Sequence, residues 1–262
     1  MFSIIKFIKF KMIGSSSCIN LYPSLTPMLG LVLGPIYGSL VIIILFIYYC
    51  IFHPKALYFG IFSIVPPILS VIVASYLSEG KWKIPAIIFG VGLLIFYFTD
   101  VGKIVWYHPI FSIISFLLIL TLKDEISKNL FSKNTPKFLV SVLVFCFITV
   151  MTDHLYGSIL GIIYLHLPPD MYKKAIHDYI LERTIMTIIG SIFVIFNIEI
   201  MKFIISNYEG FKREIILKFV DIKSNEIEID KELLKKYNIK LLDKEEKERI
   251  IVETLKILSG KK

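Results

Sequence analysis

Residues 151–170 read MTDHLYGSILGIIYLHLPPD, and the fold turns on where the aspartate and histidine of this stretch come to lie. The run 138–152 before Asp153 carries no Asp, Glu, Lys or Arg, and neither does the run 154–169 after it. A helix starting near Lys137 rises 1.5 Å per residue, which puts Asp153 about 24 Å into a hydrocarbon core about 30 Å thick. A charged group at that depth costs at least ~2.5 to 3.5 kcal/mol, so it is expected to face a polar cavity or a partner. Thr149, Asp153, Gly157 and Gly161 recur every four residues on one stripe of such a helix, and missing side chains there admit a neighbouring backbone or a small molecule. Glycine also weakens a helix, which predicts a break after Thr152. The same carboxylate equally suits a structural role, capping a half-helix or pairing with Arg183.

The rest of the chain agrees with a membrane setting. Its 262 residues are 56% hydrophobic and 19% charged, with a mean hydropathy of +0.74, whereas soluble domains carry about 25% charged residues. Uncharged runs also cover 12–54, 56–78, 84–99, 104–122 and 184–198. Read against the breakers, these predict an all-α bundle of six membrane-spanning helices at about 28–52, 56–77, 84–99, 104–122, 137–167 and 183–207. The connections HPK, SEGKWK and DVGK are short and make hairpins, whereas KDEISKNLFSKNTPK is a long polar connection. Pro168 and Pro169 interrupt a segment read as a cap: a helix end, a proline turn, then an amphipathic helix feeding the last span.

Charge sets the expected orientation. Lys6, Lys9, Lys11, Lys81, Lys83, Lys123, Lys128, Lys133 and Lys137 fall on one side, against Lys55, Lys103, Lys173, Lys174 and Arg183 on the other. Positive residues are retained in the cytosol, so both ends are expected there, in a multi-pass protein of the cell membrane. The first thirteen residues, with lysines among Phe and Ile, read as a basic amphipathic stretch on the inner leaflet, and those lysines argue against a cleaved signal peptide. Residues 1–207 form the membrane domain and 208–262 a cytosolic tail with 14 Lys or Arg and 12 Asp or Glu. That near balance marks a solvated segment and gives no support to nucleic-acid binding. Within the tail, EIILKFVDIKSNEIEID alternates like a strand, and a helical pattern follows up to Gly260.

A second polar cluster, AIHDYILERT at 175–184, leads into the last span. Counted from the cytosolic end, Arg183 lies at a depth like that of Asp153, so the two clusters can meet. Arg183, Gly190 and Asn197 recur every seven residues as an inward seam. The candidate solute-binding residues are therefore Asp153, His154, Tyr156, Gly157, Tyr179, Glu182, Arg183 and Asn197. Gly30, Gly34 and Gly38 stand four apart on the first span, where small residues let helices approach closely, within the bundle or against another subunit. His53, His108, His166 and His177 lack ligand spacing and read as interfacial, so no metal site or other cofactor is expected. Cys18, Cys50 and Cys146 predict no disulfide framework. There is no P-loop, no G-x-S-x-G and no dinucleotide fingerprint, so uphill transport would draw energy from elsewhere.

The segments LTPMLGLVLGPIYGSL, TDHLYGSILG and LPPDMYKKAIHDYILERTIMTIIG resemble the S components of energy-coupling factor (ECF) transporters, over about residues 25–207. The resemblance implies a substrate-binding membrane subunit, not an enzyme, that captures a small molecule such as a vitamin or its precursor. It also implies a transmembrane coupling subunit and a pair of ABC-type ATPases as partners. Matched residue by residue, Asp153, His154, Gly157, Glu182 and Arg183 fall on the pocket side, and Gly30, Gly34 and Gly38 on the surface that meets the coupling subunit. The long connection at 123–137 and the tail depart from the family pattern. Two other readings fit the residues: a membrane-embedded enzyme using Asp153, His154 and Glu182 in acid–base chemistry on a lipid-like substrate, and a scaffold acting through its tail.

Overall fold

A computed structural model describes residues 10–11, 18–19, 22–54, 57–132 and 134–225, with side chains described between 22 and 204. The chain divides into two units, 1–203 and 204–262, and the site lies wholly in the first. Phe10–Lys11 and Cys18–Ile19 form a short antiparallel pair. Everything else described is helical: α1 Thr26–Phe52, α2 Val65–Ser78, α3 Lys83–Phe98, α4 Asp100–Ile104, α5 Ile110–Leu122, α6 Glu125–Asn129, α7 Thr135–Ile163 and α8 Pro169–Asn225. Single 3-10 turns at Tyr22–Leu25 and Gly60–Ile64 precede α1 and α2. The basic stretch expected at the start, apart from Phe10–Lys11, and the tail helix expected towards Gly260 lie outside the described residues.

Four helices are long and apolar enough to cross a membrane: Tyr22–Phe52 with its leading turn, Gly60–Ser78, Thr135–Ile163 and Pro169–Ile204. Two more, α3 and α5, are apolar but only 16 and 13 residues long. Large apolar side chains such as Ile36, Tyr37, Ile44, Ile51, Phe98 and Phe203 point outward, more than 60% exposed. The core is built on α7, where Phe145, Ile148, Met151 and Leu155 are sealed against Leu77, Phe89, Phe96 and Ile119 of its neighbours.

The break expected after Thr152 is not there: α7 runs unbroken through both of its glycines. Thr149 and Thr152 donate their hydroxyls to the carbonyls of Phe145 and Ile148 one turn back, and no proline interrupts the ladder between Pro136 and Pro168. Glycine alone weakens a helix by about 1 kcal/mol without removing a hydrogen bond. The break is in α1. Gly34 adopts φ 74° and ψ −175°, a conformation open essentially to glycine alone, and Pro35 removes a backbone donor and disfavours helical geometry in the residue before it.

At Gly34 the chain folds back on itself. Thr26 meets Ser70 and Gly30 meets Ala74, so residues 26–33 run alongside α2 in the same direction. Gly38 then returns to Val71, and a Cβ added to it would lie 3.1 Å from the Leu29 carbonyl oxygen, nine residues earlier in the chain. The span read as one helix is thus a helical hairpin whose first arm is buried in the bundle. A buried chain of hydrogen bonds anchors that arm: the Thr26 and Ser70 hydroxyls are 2.8 Å apart, and Ser70 donates to the Thr149 carbonyl at 2.7 Å.

Other boundaries differ from expectation. The DVGK connection is itself a short helix, α4, headed by the Thr99 hydroxyl accepting from the Gly102 amide, and the fourth helix begins at Ile110 and not at 104, after the turn at Val105–Pro109. The amphipathic cap helix and the last span are one element, because Pro169 opens α8 and a proline suits a first helical turn. That helix also continues through residues 214–225, so the strand-like alternation there is overridden. The long connection at 123–137 contains α6, which buries Ile126.

Candidate functional site

Two helices and one turn bring the polar residues together. Asp153 and His154 come from the middle of α7, Glu182 and Arg183 from α8 one element later, and His108 from the turn before α5. Arg183 donates through NH1 to Asp153 Oδ2 at 3.1 Å, and its NH2 lies 3.2 Å from Glu182 Oε1. Asp153, Glu182 and Arg183 are only 6%, 5% and 6% exposed. One guanidinium therefore touches both carboxylates away from water, where geometry matters far more than at the surface.

Exposed ion pairs of the same chain behave differently. Lys81 with Glu79 and Lys128 with Asp124 lie in the polar connections with side chains 40% or more exposed. The hydrogen bond from Lys128 holds the Asp124 carboxyl below its usual range. Such exposed pairs contribute at most about 1 kcal/mol.

A ring cluster covers the ion triad. The His154 and Tyr179 rings stack at 4.5 Å between centroids, and His108 lies 4.9 Å from Tyr179, 5.0 Å from Tyr172 and 5.6 Å from His154. Phe96 stacks on His108 from the opposite side at 6.0 Å. Two tyrosine hydroxyls lock the frame: Tyr179 donates to the His108 carbonyl at 2.7 Å and Tyr172 to the Ser158 carbonyl at 2.8 Å.

Buried polar atoms normally find partners, and leaving one without costs about 1 to 3 kcal/mol. Here Asp153 Oδ1, His154 Nε2, Arg183 Nε and both ring nitrogens of His108 make no hydrogen bond, and Glu182 Oε1 has only its ion pair with Arg183. On the α7 stripe, Asp153 is covered, and a Cβ on Gly161 would meet the Tyr172 hydroxyl at 2.6 Å, but one on Gly157 would meet nothing within 4 Å. The stripe is notched one turn beyond the aspartate. An open depression of about 460 Å³ lies at the same end of the bundle, lined by Thr99, Val101, Ile162, His166, Leu167 and Pro168 among others. Val101, Ile162 and Leu167 pack against Tyr172, so Tyr172 stands between that depression and His108.

Not every residue read from the sequence joins this cluster. Tyr156 turns to α3, donating to the Ile88 carbonyl at 2.8 Å. Asn197 bonds the Phe193 carbonyl of its own helix, fourteen residues or about 21 Å along α8 from Arg183. The gap at Gly190 is filled by the Ser24 carbonyl, 3.0 Å from an added Cβ. Gly30 and Gly38 lie against α2, where an added Cβ would meet Ala74 at 2.5 Å and Val71 at 2.7 Å. Of the two uses read for these glycines, packing inside the bundle is the one they serve here.

His108, expected at the interface, is 2% exposed and joins the ring cluster, as does Tyr172. The signal was present in WYHPI: a histidine held before a proline inside an uncharged run has no lysine or carboxylate nearby to bring it to water. Among the described residues no three His, Cys, Asp or Glu side chains converge as a metal site.

Apolar helices long enough to span a bilayer, with an ion triad and an imidazole cluster sealed inside them, define a helical membrane protein with a buried polar site. The chain is 49% identical, over an alignment of 263 residues, to "Uncharacterized protein MJ0923" of Methanocaldococcus jannaschii, covering 98% of this chain and 89% of that one. It belongs to the family of that archaeal protein. No family model matches the chain, and no solved structure matches it.

Proposed function

We propose that the chain binds a small polar solute inside the membrane, as the substrate-binding subunit of an uptake system. The observation that carries this is the set of buried atoms without a hydrogen bond on Asp153, His154, Arg183 and His108, with open space at Gly157 one turn along α7. A purely structural ion pair has no use for so many unpaired groups, whereas a solute would supply their partners.

In this reading six helices cross the cell membrane, α3 and α5 completed by their flanking turns. The Gly34–Pro35 turn and the end of the last span then share the lysine-rich cytosolic face, and the depression beside Tyr172 opens outward as the way in. The resemblance to ECF S components extends the proposal to import driven by a coupling subunit and ABC-type ATPases. Because α2 already covers Gly30 and Gly38, docking would use another face.

Thermal unfolding of the purified protein against a metabolite panel tests the reading. A solute that raises the melting temperature of the wild type but not of Gly157→Leu supports it. If no solute does so, or if the shift is equal in both, solute binding at this notch is excluded.

A second reading is favoured by one observation: Asp153 and Glu182 both touch one guanidinium, so two carboxylates and two imidazoles converge as acid–base chemistry requires. An enzyme acting on a lipid-like substrate would return an altered molecule after incubation, and a binding subunit an unchanged one, which mass spectrometry distinguishes.

A further inference from the structure

The buried triad sets two acids against one base, and the bundle around it holds little to balance the second acid. Asp153 and Glu182 each pair with Arg183 and, among the described residues, with no other cation. Around them stand His154 on α7, Asp178 on α8, His108 in the turn before α5, and Tyr22 in the turn before α1, within electrostatic reach of Asp153 and Arg183. Neither imidazole forms an ion pair with either acid, and a tyrosine phenol is neutral at neutral pH. Asp178 is exposed one turn before Glu182 and brings a further negative charge to bear on it.

Hydrogen-bond donors are also taken. Both acids sit in the interior of unbroken helices, where each backbone N–H is given to the carbonyl four residues earlier. The buried hydroxyls of the same two helices, on Thr149, Thr152, Thr187 and Ser191, each donate to a carbonyl one turn back. A carboxylate kept from water needs donors or a counter-charge, and without them it takes up a proton instead. The guanidinium balances one acid. A proton balances the other, and it needs no room beside the guanidinium.

The contacts choose between the two acids. Asp153 Oδ2 accepts a hydrogen bond from Arg183 at 3.1 Å, whereas Glu182 Oε1 lies 3.2 Å from the same group and receives none. A hydrogen bond to an ionised acceptor favours the ionised form, and a neighbouring like charge disfavours it. Asp153 has the first and Glu182, beside Asp178, the second. We infer that Glu182 carries a proton in the sealed bundle at neutral pH, so that the triad is a proton-binding site inside the membrane with Asp153 and Arg183 as its fixed ion pair. The ligand is H⁺ itself, taken up by the Glu182 carboxylate and held as a neutral carboxylic acid. Ionisable residues inside membrane helices commonly serve as proton relays, and at Glu182 proton uptake and release can be tied to the state of the bundle. This goes beyond solute binding and does not depend on it.

Infrared spectroscopy of the full-length protein in maltoside micelles, which add no carbonyl of their own, tests the inference at neutral pH, where ordinary carboxyls are ionised. It predicts a C=O stretch from a protonated carboxyl in the wild type. That band should shift when the glutamates carry heavy carbon in their side-chain carboxyls, stay in place when the aspartates do, and vanish in Glu182→Gln. The labelling uses the unaltered chain, so it decides the matter even if the variant does not fold. Absence of the band, its persistence in folded Glu182→Gln, or a shift with labelled aspartate in place of glutamate overturns the assignment of the proton to Glu182.

Discussion

Two helices of this bundle carry glycines four residues apart, and they use them differently. In α1 the glycines close space: Gly30 and Gly38 bring two arms of a hairpin so near α2 that a single added carbon would touch Ala74 or Val71, and Gly34 makes the fold-back itself. In α7 the two differ: Gly161 lies against the Tyr172 hydroxyl, and Gly157 leaves space open. Both sit in an unbroken helix, with Gly157 one turn beyond Asp153, whose Oδ1 makes no hydrogen bond. Spacing alone did not decide between these outcomes. What decided was proline: Pro35 follows Gly34, and none lies between Pro136 and Pro168 of the α7 segment.

Substitutions on each side sharpen the contrast, beginning with the largest effect. Replacing Arg183 by Leu strands Asp153 as a buried charge without a cation, and unfolding by denaturant is expected to show a loss of about 3 to 5 kcal/mol. The combined variant Asp153→Asn, Arg183→Leu should recover part of that loss. On the α1 side, Gly30→Ala presses a methyl into Ala74 at 2.5 Å and the Val71 carbonyl at 2.6 Å, an overpacking that costs about 1 to 3 kcal/mol. Gly34→Ala meets open space, with only the Ser75 hydroxyl at 3.9 Å, so its penalty is the glycine-only backbone conformation alone, about 1 to 3 kcal/mol. A larger loss at Gly34 than at Gly30 would mean that the turn, and not the contact with α2, holds the hairpin together.

The smallest effect reverses sign. Gly157→Ala adds a methyl that meets nothing and gives the helix a better former, so the melting temperature should rise, by up to about 1 kcal/mol of stability. Gly161→Ala, one turn on, should lower it, since the Tyr172 hydroxyl stands 2.6 Å from the new carbon and would give up its bond to Ser158. Equal behaviour at the two positions would remove the notch from the account.

Much of this architecture was legible from the chain. The uncharged runs gave the helical membrane class, and depth counting along two separate helices brought Asp153 to Arg183. Tyr179, His154 and Glu182 followed because helical spacing keeps them beside those two. Tyr156 and Asn197 lie away from this cluster for one reason: shared periodicity fixes a face, but not which neighbour that face meets. The fold-back at Gly34 was also hidden, since an uncharged run of helical length looks the same whether it crosses once or doubles back. Only the Gly-Pro pair inside it marked the place. His108 escaped because its partners come from three different elements, and no local pattern records such a meeting.

The unfolding free energy of His108→Phe tests the central claim most directly, and it needs no knowledge of the ligand. If the partnerless atoms are kept for a solute, an apolar ring in place of His108 removes two buried nitrogens without partners, keeps the stack on Phe96, and should stabilise the empty protein by about 1 to 3 kcal/mol. A clear loss of stability would contradict the account, because it would mean that the imidazole serves the fold and that the cluster is complete without anything bound.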